Sequence, residues 1–411
     1  MIKYLKYNKE IVGKCFLIVL VIAALFFKEI IYHGFTYYND LLEDEWILFW
    51  KVTPWTLSPM LVCTLLAAFF TDKGHGKEVG LAGILMLFAS SVVMTGSTLW
   101  ASTPRDGEML LTKLCGYSIH LPIATFLVAT SFMRGGALTL LLSVLSSNRG
   151  SSCAEKEIKW QTISAVIVCI LSITIMRLVR PDLSWAVAAL LGSIYILMLV
   201  LGFYCFKSCI LGSSTQENAS ETNRSGRNSW IMPVVILSVC LLTITSYWQY
   251  VPNSWHHYGF YGPSSYMAMN ESILAFAVAL LFIGRRPSKG NILTGAILLL
   301  FGLPLGVMFI DEILIEFIPM IMIGVGLAMI VGPTLGAVVK IPIRRYTLAW
   351  VGIVSAIIIL SRVLFVVFNR MSVAFNTRTV TLYIVYPLLA LSLMVLGYLF
   401  NEKKKKDVEH E

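Results

Sequence analysis

The longest polar interruption in this chain is "KSCILGSSTQENASETNRSGRNS", residues 207–229. After Leu211 it is built from Ser, Asn, Thr and small or charged residues, the composition of a flexible linker. On both sides of it the chain is strongly apolar. Hydrophobic residues make up 57% of the 411 positions and charged residues only 13%, a balance that excludes a soluble domain of this length. A membrane-crossing helix needs about 20 apolar residues. Such stretches lie near 13–38, 53–70, 79–101, 117–146, 160–179 and 184–206 before the linker. After it they lie near 230–250, 265–284, 291–310, 315–339, 346–368 and 379–400. The expectation is therefore an all-α integral membrane protein with twelve transmembrane helices in two six-helix bundles. Residues 1–206 form the first, 207–229 the cytoplasmic linker, 230–400 the second, and 401–411 a basic cytoplasmic tail.

Positive loops stay in the cytoplasm. With both termini inside, the cytoplasmic segments hold 22 of the 32 lysines and arginines, whereas the first outward loop carries Asp40, Glu43, Asp44 and Glu45. The net charge of +9 is thus a topological signal, with attraction to anionic lipid as an accompaniment, and it does not point to nucleic acid. The opening "MIKYLKYNKEIVGKC" has the flavour of a signal peptide, yet no clean small-x-small site follows, so it is read as a retained first helix. The eight cysteines lie mostly in apolar runs without metal-ligand spacing. No metal or cofactor is expected. There is no GxxxxGK[ST] phosphate loop, and "GHGKE" at 74–78 lacks the spacing and the Ser/Thr, so a transporter of this composition must draw on an ion gradient or run downhill.

Two short loops sharpen the reading. Between spans 2 and 3 stands "AAFFTDKGHGKEVG", residues 67–80, and at the matching place in the second half, between spans 8 and 9, stands "IGRRPSKG", residues 283–290. A tight, basic, Gly-containing turn repeated at the same position is what an internal repeat leaves behind. The first loop resembles the signature loop of the major facilitator superfamily, with Asp72, Lys73, Gly76 and Lys77 in the signature roles and Arg285 and Arg286 as their second-half counterparts. The resemblance implies a cytoplasmic gate held by these residues. The chain departs from the common form at Ala68, where the family has Gly, and at His75, where it has its later Gly. Span 10, "FIPMIMIGVGLAMIVGPTLGAVV" at 317–339, is similar to the Gly-x-Gly with a later Pro seen in the drug:proton antiporter branch, here Gly324, Gly326 and Pro333. Its "GPTLG" also resembles the antiporter signature, which that branch carries on helix 5.

Charges inside apolar runs are the candidate site. Lys28 and Glu29 interrupt span 1, at a cost on the order of 3 kcal/mol each near a bilayer centre. Arg134 lies midway along span 4 in "HLPIATFLVATSFMRGGALTLLLSV", residues 120–144. A carboxylate on helix 1 and an arginine on helix 4 resemble the central-cavity charges of the antiporter branch, which implies proton coupling with Glu29 as the titrating group and Arg134 as its tuning partner. The competing reading is a static ion pair that fixes packing. His33, about a turn beyond Glu29, is a candidate second proton carrier. Lys28, Tyr37, Pro333 and Arg362, the last inside "AIIILSRVLFVVF" at 356–368, are candidates for the substrate cavity. The aromatic outward loop "QYVPNSWHHYGFYGPSSY", residues 249–266, reads as an interfacial belt or a vestibule.

These features lead to an expected secondary transporter, not an enzyme, that exports small amphiphilic or cationic compounds against protons by alternating access in the cell inner membrane. The expected partners are a small-molecule substrate, protons and the lipid bilayer. The alternatives are a membrane-embedded transferase acting on a lipid-linked substrate, or a facilitator-fold uptake transporter or sensor.

Overall fold

A computed structural model of the chain describes residues 2–36, 58–102, 111–114, 117–147, 154–179, 185–211, 232–240, 242–243, 264–283, 289–308, 313–340 and 386–409. The described residues form two compact units, parted at Ala219 and Ser220. The first holds α1 (Ile2–Thr36), α2 (Ser58–Asp72), α3 (Gly76–Ser102), α4 (Leu121–Ser147), α5 (Ala154–Val179) and α6 (Trp185–Phe206). The second holds α7 (described at residues 232–240 and 242–243), α8 (Ser264–Phe282), α9 (Lys289–Met308), α10 (Ile313–Lys340) and α11 (Tyr386–Glu409). The chain is an all-helical integral membrane protein, and each expected span with described residues coincides with one of these helices. Span 11, with Arg362, lies outside the described residues.

The helices form because a bilayer offers no partner for backbone N–H and C=O groups, so an apolar run must satisfy them internally. Five of the helices are long and apolar enough to cross a membrane, among them Gly76–Trp100 in α3 and Leu121–Ser147 in α4. Their hydroxyls follow the same rule by donating to the carbonyl four residues back. Thr64 bonds Met60 at 2.6 Å, Ser91 bonds Leu87 at 2.6 Å, and Thr139 bonds Gly135 at 2.7 Å.

Three departures from the sequence reading stand out. Helix α6 continues through a π turn, Lys207–Leu211, in which Cys209 and Ile210 are buried, so the first five residues of the supposed linker belong to the bundle. Helix α11 runs on through "NEKKKKDVE" to Glu409, making most of the expected tail helical. A small antiparallel ladder, β1 (Leu111–Leu114) with β2 (Tyr117–His120), precedes α4, pairing Leu111 with His120 and Leu114 with Tyr117.

Within the first unit α4 is the central helix, 72% buried, whereas the Ala186–Leu211 stretch is only 28% buried and presents Leu190, Leu197 and Leu201 outward. Exposed leucines are no defect here, since hydrocarbon is their solvent. For the same reason helices in a bilayer gain little from burying apolar surface and associate through close packing of small residues. Helix α3 meets α4 along Gly76, Gly80 and Gly83. A Cβ on Gly83 would lie 2.7 Å from the Leu140 nitrogen and 3.0 Å from the Gly136 carbonyl oxygen. In the second unit α9 and α10 repeat this crossing. A Cβ on Gly295 would sit 2.7 Å from the Gly326 carbonyl, and one on Gly326 would sit 2.8 Å from the Gly295 carbonyl. The third and fourth helices of each half thus touch backbone to backbone, a structural trace of the repeat that the two basic loops suggested.

Gly83→Val and Gly326→Val should therefore each lower stability in detergent or nanodiscs by about 1–3 kcal/mol through overpacking. Gly96→Ala, where a Cβ would meet nothing within 4 Å, is the neutral control. Equal melting temperatures for all three variants would refute the crossing argument.

Candidate functional site

The best-described part of the candidate machinery is the turn between α2 and α3. Helix α2 closes in a glycine-capped motif in which the Gly74 N–H donates to the Thr71 carbonyl at 3.1 Å and the His75 N–H donates to the Phe70 carbonyl at 3.0 Å. Gly74 adopts φ 96°, the left-handed conformation this cap requires. The apolar contact that usually accompanies such a cap is present as an edge-to-face packing of His75 on Phe70, with centroids 6.4 Å apart. The His75 carbonyl then accepts the Val79 N–H at 3.1 Å and so opens α3. Lys73 folds over the Phe69 ring, 4.1 Å from its centre.

The turning therefore falls to Gly74, while Gly76, the glycine matched to the family signature, has another task. Ser143 of α4 donates to the Gly76 carbonyl at 2.6 Å, and a Cβ on Gly76 would lie 3.0 Å from the Ser146 hydroxyl. Gly76 lets the loop seat on the end of α4. Lys77 adds a tie to a third element by donating to the Leu211 carbonyl at the end of the α6 π turn, 3.3 Å away. Asp72, the last residue of α2, is half-buried, and its Oδ1 is shielded from solvent. Ala68, where the family has glycine, is fully buried in a cluster with Ala67, Val79 and Leu142, and its methyl fits there. Arg285 and Arg286 lie outside the described residues.

A buried ion pair that sequence reasoning missed closes the same end of the bundle. Lys14 of α1 donates to Glu157 of α5 at 2.8 Å and approaches the Ser147 carbonyl of α4 at 3.5 Å. The two side chains are 7% and 5% exposed. No local pattern in the sequence singles out Glu157, 143 residues away, as the partner of Lys14.

The Ser147 contact also brings α1, which carries Glu29, beside the end of α4, which carries Arg134. Arg134 is half-buried and is not an isolated charge. On α1 the buried face runs through Leu17, Val21 and Ala24, while Ile22 and Leu25 lie on the less buried flank. The side chains of Lys28, Glu29 and His33 and the whole of Tyr37 lie outside the described residues.

In the second unit the Gly-x-Gly of α10 faces two neighbours at once. A Cβ on Gly324 would strike the Ser272 carbonyl and Ala275 of α8, whereas Gly326 meets α9. Both glycines are packing seams. Pro333 is buried within α10, which its ring interrupts at the missing N–H. Among the described residues no three His, Cys, Asp or Glu side chains are grouped to hold a metal ion.

The six helices of the first unit and the five described helices of the second, with their repeated close crossings and the capped basic loop after α2, match in fold solved structures of major facilitator superfamily transporters along nearly the whole chain. The E. coli fucose:proton symporter superposes with a TM-score of 0.61 at 11% identity, covering 95% of this chain and 97% of its own. The proton:xylose symporter XylE, bound to 6-bromo-6-deoxy-D-glucose, gives 0.62 at 14% identity over 96% of both chains. A double-tryptophan variant of XylE gives 0.59 at 14% identity, covering 97% and 94%. No family model matches the sequence, and no curated protein matches it either.

Two tests follow from this geometry. Gly74→Ala should cost about 1–2 kcal/mol, because an L-residue is forced left-handed, and should lower the melting temperature more than Gly76→Ala. The reverse ranking would return the turn to Gly76. Lys14→Met or Glu157→Leu alone leaves a buried charge uncompensated and should destabilise by about 3–5 kcal/mol, while the double variant recovers most of that loss. Additive losses in the double variant would show that the two side chains do not interact.

Proposed function

We propose that this protein is a proton-coupled secondary transporter that exports small amphiphilic or cationic compounds by alternating access, from the inner membrane, with both termini cytoplasmic. What supports the coupling is Arg134, a half-buried guanidinium midway along an apolar 27-residue helix. A carboxylate in low dielectric favours its protonated form, and a nearby guanidinium favours the ionised one. Such a pair releases its proton when solvent access or a bound cation changes the balance. The gate assignment of Asp72, Lys73, Gly76 and Lys77, with Arg285 and Arg286 as their second-half counterparts, is supported by the way the first loop docks on the ends of α4 and α6. His33 is proposed as a second proton carrier, and Lys28, Tyr37, Pro333 and Arg362 as contributors to the substrate cavity. The fold supports a transporter over the transferase alternative, since its solved neighbours are transporters.

A second reading is favoured by those same neighbours, which are proton symporters for sugars: uptake, with proton and substrate moving together. Proteoliposomes with an imposed pH gradient separate the two. For antiport, adding a lipophilic cation such as tetraphenylphosphonium should discharge an acid-inside gradient in the wild type but not in Glu29→Gln. Proton entry driven by xylose or fucose, with no response to the cation, would overturn export in favour of symport. No proton movement with either would remove the coupling role of Glu29 and Arg134.

A further inference from the structure

A crevice of about 450 Å³ opens between α3 and α4 in the first unit, within the range of sites for drug-sized ligands. Met86, Ala89 and Val93 line it from α3, and Ala124, Val128 and Phe132 from α4. Its mouth is flanked by Val93 and Phe132, which are 44% and 40% exposed. The outer face of α3 continues through Leu85, Phe88, Val92 and Leu99, all exposed and all apolar, a surface that only hydrocarbon can cover. The crevice therefore opens to the bilayer, toward the outward ends of the two helices.

One wall is polar. Ser90 lines the crevice and is only 4% exposed. Ser91, Ser97 and Thr98 on the same helix donate to the carbonyl four residues back, at 2.6, 2.8 and 3.0 Å. Thr125, also on the wall, bonds the Pro122 carbonyl and the Ser97 hydroxyl, each at 2.8 Å. Ser90 does none of this, and no described group pairs with its hydroxyl. It stands about 21 Å along α3 from Gly76, near the middle of the Gly76–Trp100 span. At that depth water is scarce and an unpaired hydroxyl costs on the order of 1–3 kcal/mol. A phospholipid acyl chain brings no acceptor so deep.

We propose that this crevice is a binding site, entered laterally from the membrane, for a small amphiphile with an apolar body and one hydrogen-bond acceptor that pairs with Ser90. The site does not depend on the transport reading. Its walls make it selective for compounds that dissolve in hydrocarbon and carry a single polar atom.

Benzophenone is a suitable probe: two phenyl rings, one carbonyl acceptor, and photochemical insertion into neighbouring C–H bonds. The full chain in phosphatidylcholine nanodiscs is irradiated over a concentration series, and labelled peptides are mapped by mass spectrometry. Saturable labelling within residues 86–93 and 121–132 is expected. It should fall at least fivefold in Ala89→Phe, which fills the crevice from its exposed side, and about threefold in Ser90→Ala, with melting temperatures unchanged. Labelling that rises linearly and spreads over lipid-facing positions such as Leu197 and Leu201, indifferent to Ala89→Phe, would overturn the site. Saturable labelling that ignores Ser90→Ala would overturn the recognition chemistry. Should Ala89→Phe fail to fold, Ser90→Ala decides alone, through the same saturation curve.

Discussion

Backbone touches backbone where Gly83 meets Gly136, and again where Gly295 meets Gly326. In a bilayer the hydrophobic effect drives each helix into the membrane but does little to hold one helix against another. What remains is close van der Waals contact, which falls off steeply with distance. Only glycine lets two helix axes approach so nearly that main-chain atoms form the contact. Helix α4 reaches its central place in the first bundle through this seam and through Gly135, which packs on Met60 and Cys63 of α2. Everything that the candidate site needs from α4, including the position of Arg134, depends on that placement.

Around the turn between α2 and α3 the same bundle is held by polar contacts in place of glycines. The loop after α2 sits on α4 through Ser143 and reaches α6 through Lys77, while Lys14 and Glu157 join α1 to α5 beside the last carbonyl of α4. Buried ion pairs are weak sources of net stability, because desolvation offsets most of the attraction. They are stronger as specifiers of register, and here the register matters. Lys14 ties α1, the helix of Glu29, to α5 and to the end of α4, the helix of Arg134.

Much of this was legible in the residues. The helical spans follow from runs of apolar side chains, and the π turn and the helical tail change their ends by less than they confirm their positions. The basic loop was recognisable from its composition. Its inner division of labour was not, because "DKGHGK" contains two glycines two residues apart and nothing local says which adopts the left-handed conformation. Gly324 and Gly326 show the same limit. Their spacing announces close packing, but the neighbours on the two sides, α8 and α9, come from distant parts of the chain. The partner of Lys14 was hidden for that reason too: Glu157 is 143 residues away.

Hydropathy and charge are additive along a chain, so sequence alone determined that this protein is an integral membrane protein built of helices, and that ionisable residues interrupt the apolar runs of spans 1 and 4. Which glycine turns and which one packs, which carboxylate meets Lys14, and which serine is left facing an apolar crevice were decided only when the helices assembled. Those outcomes depend on the rotation and height of each helix against its neighbours. Rotation and height are set by contacts between residues far apart in sequence, and no local pattern contains them.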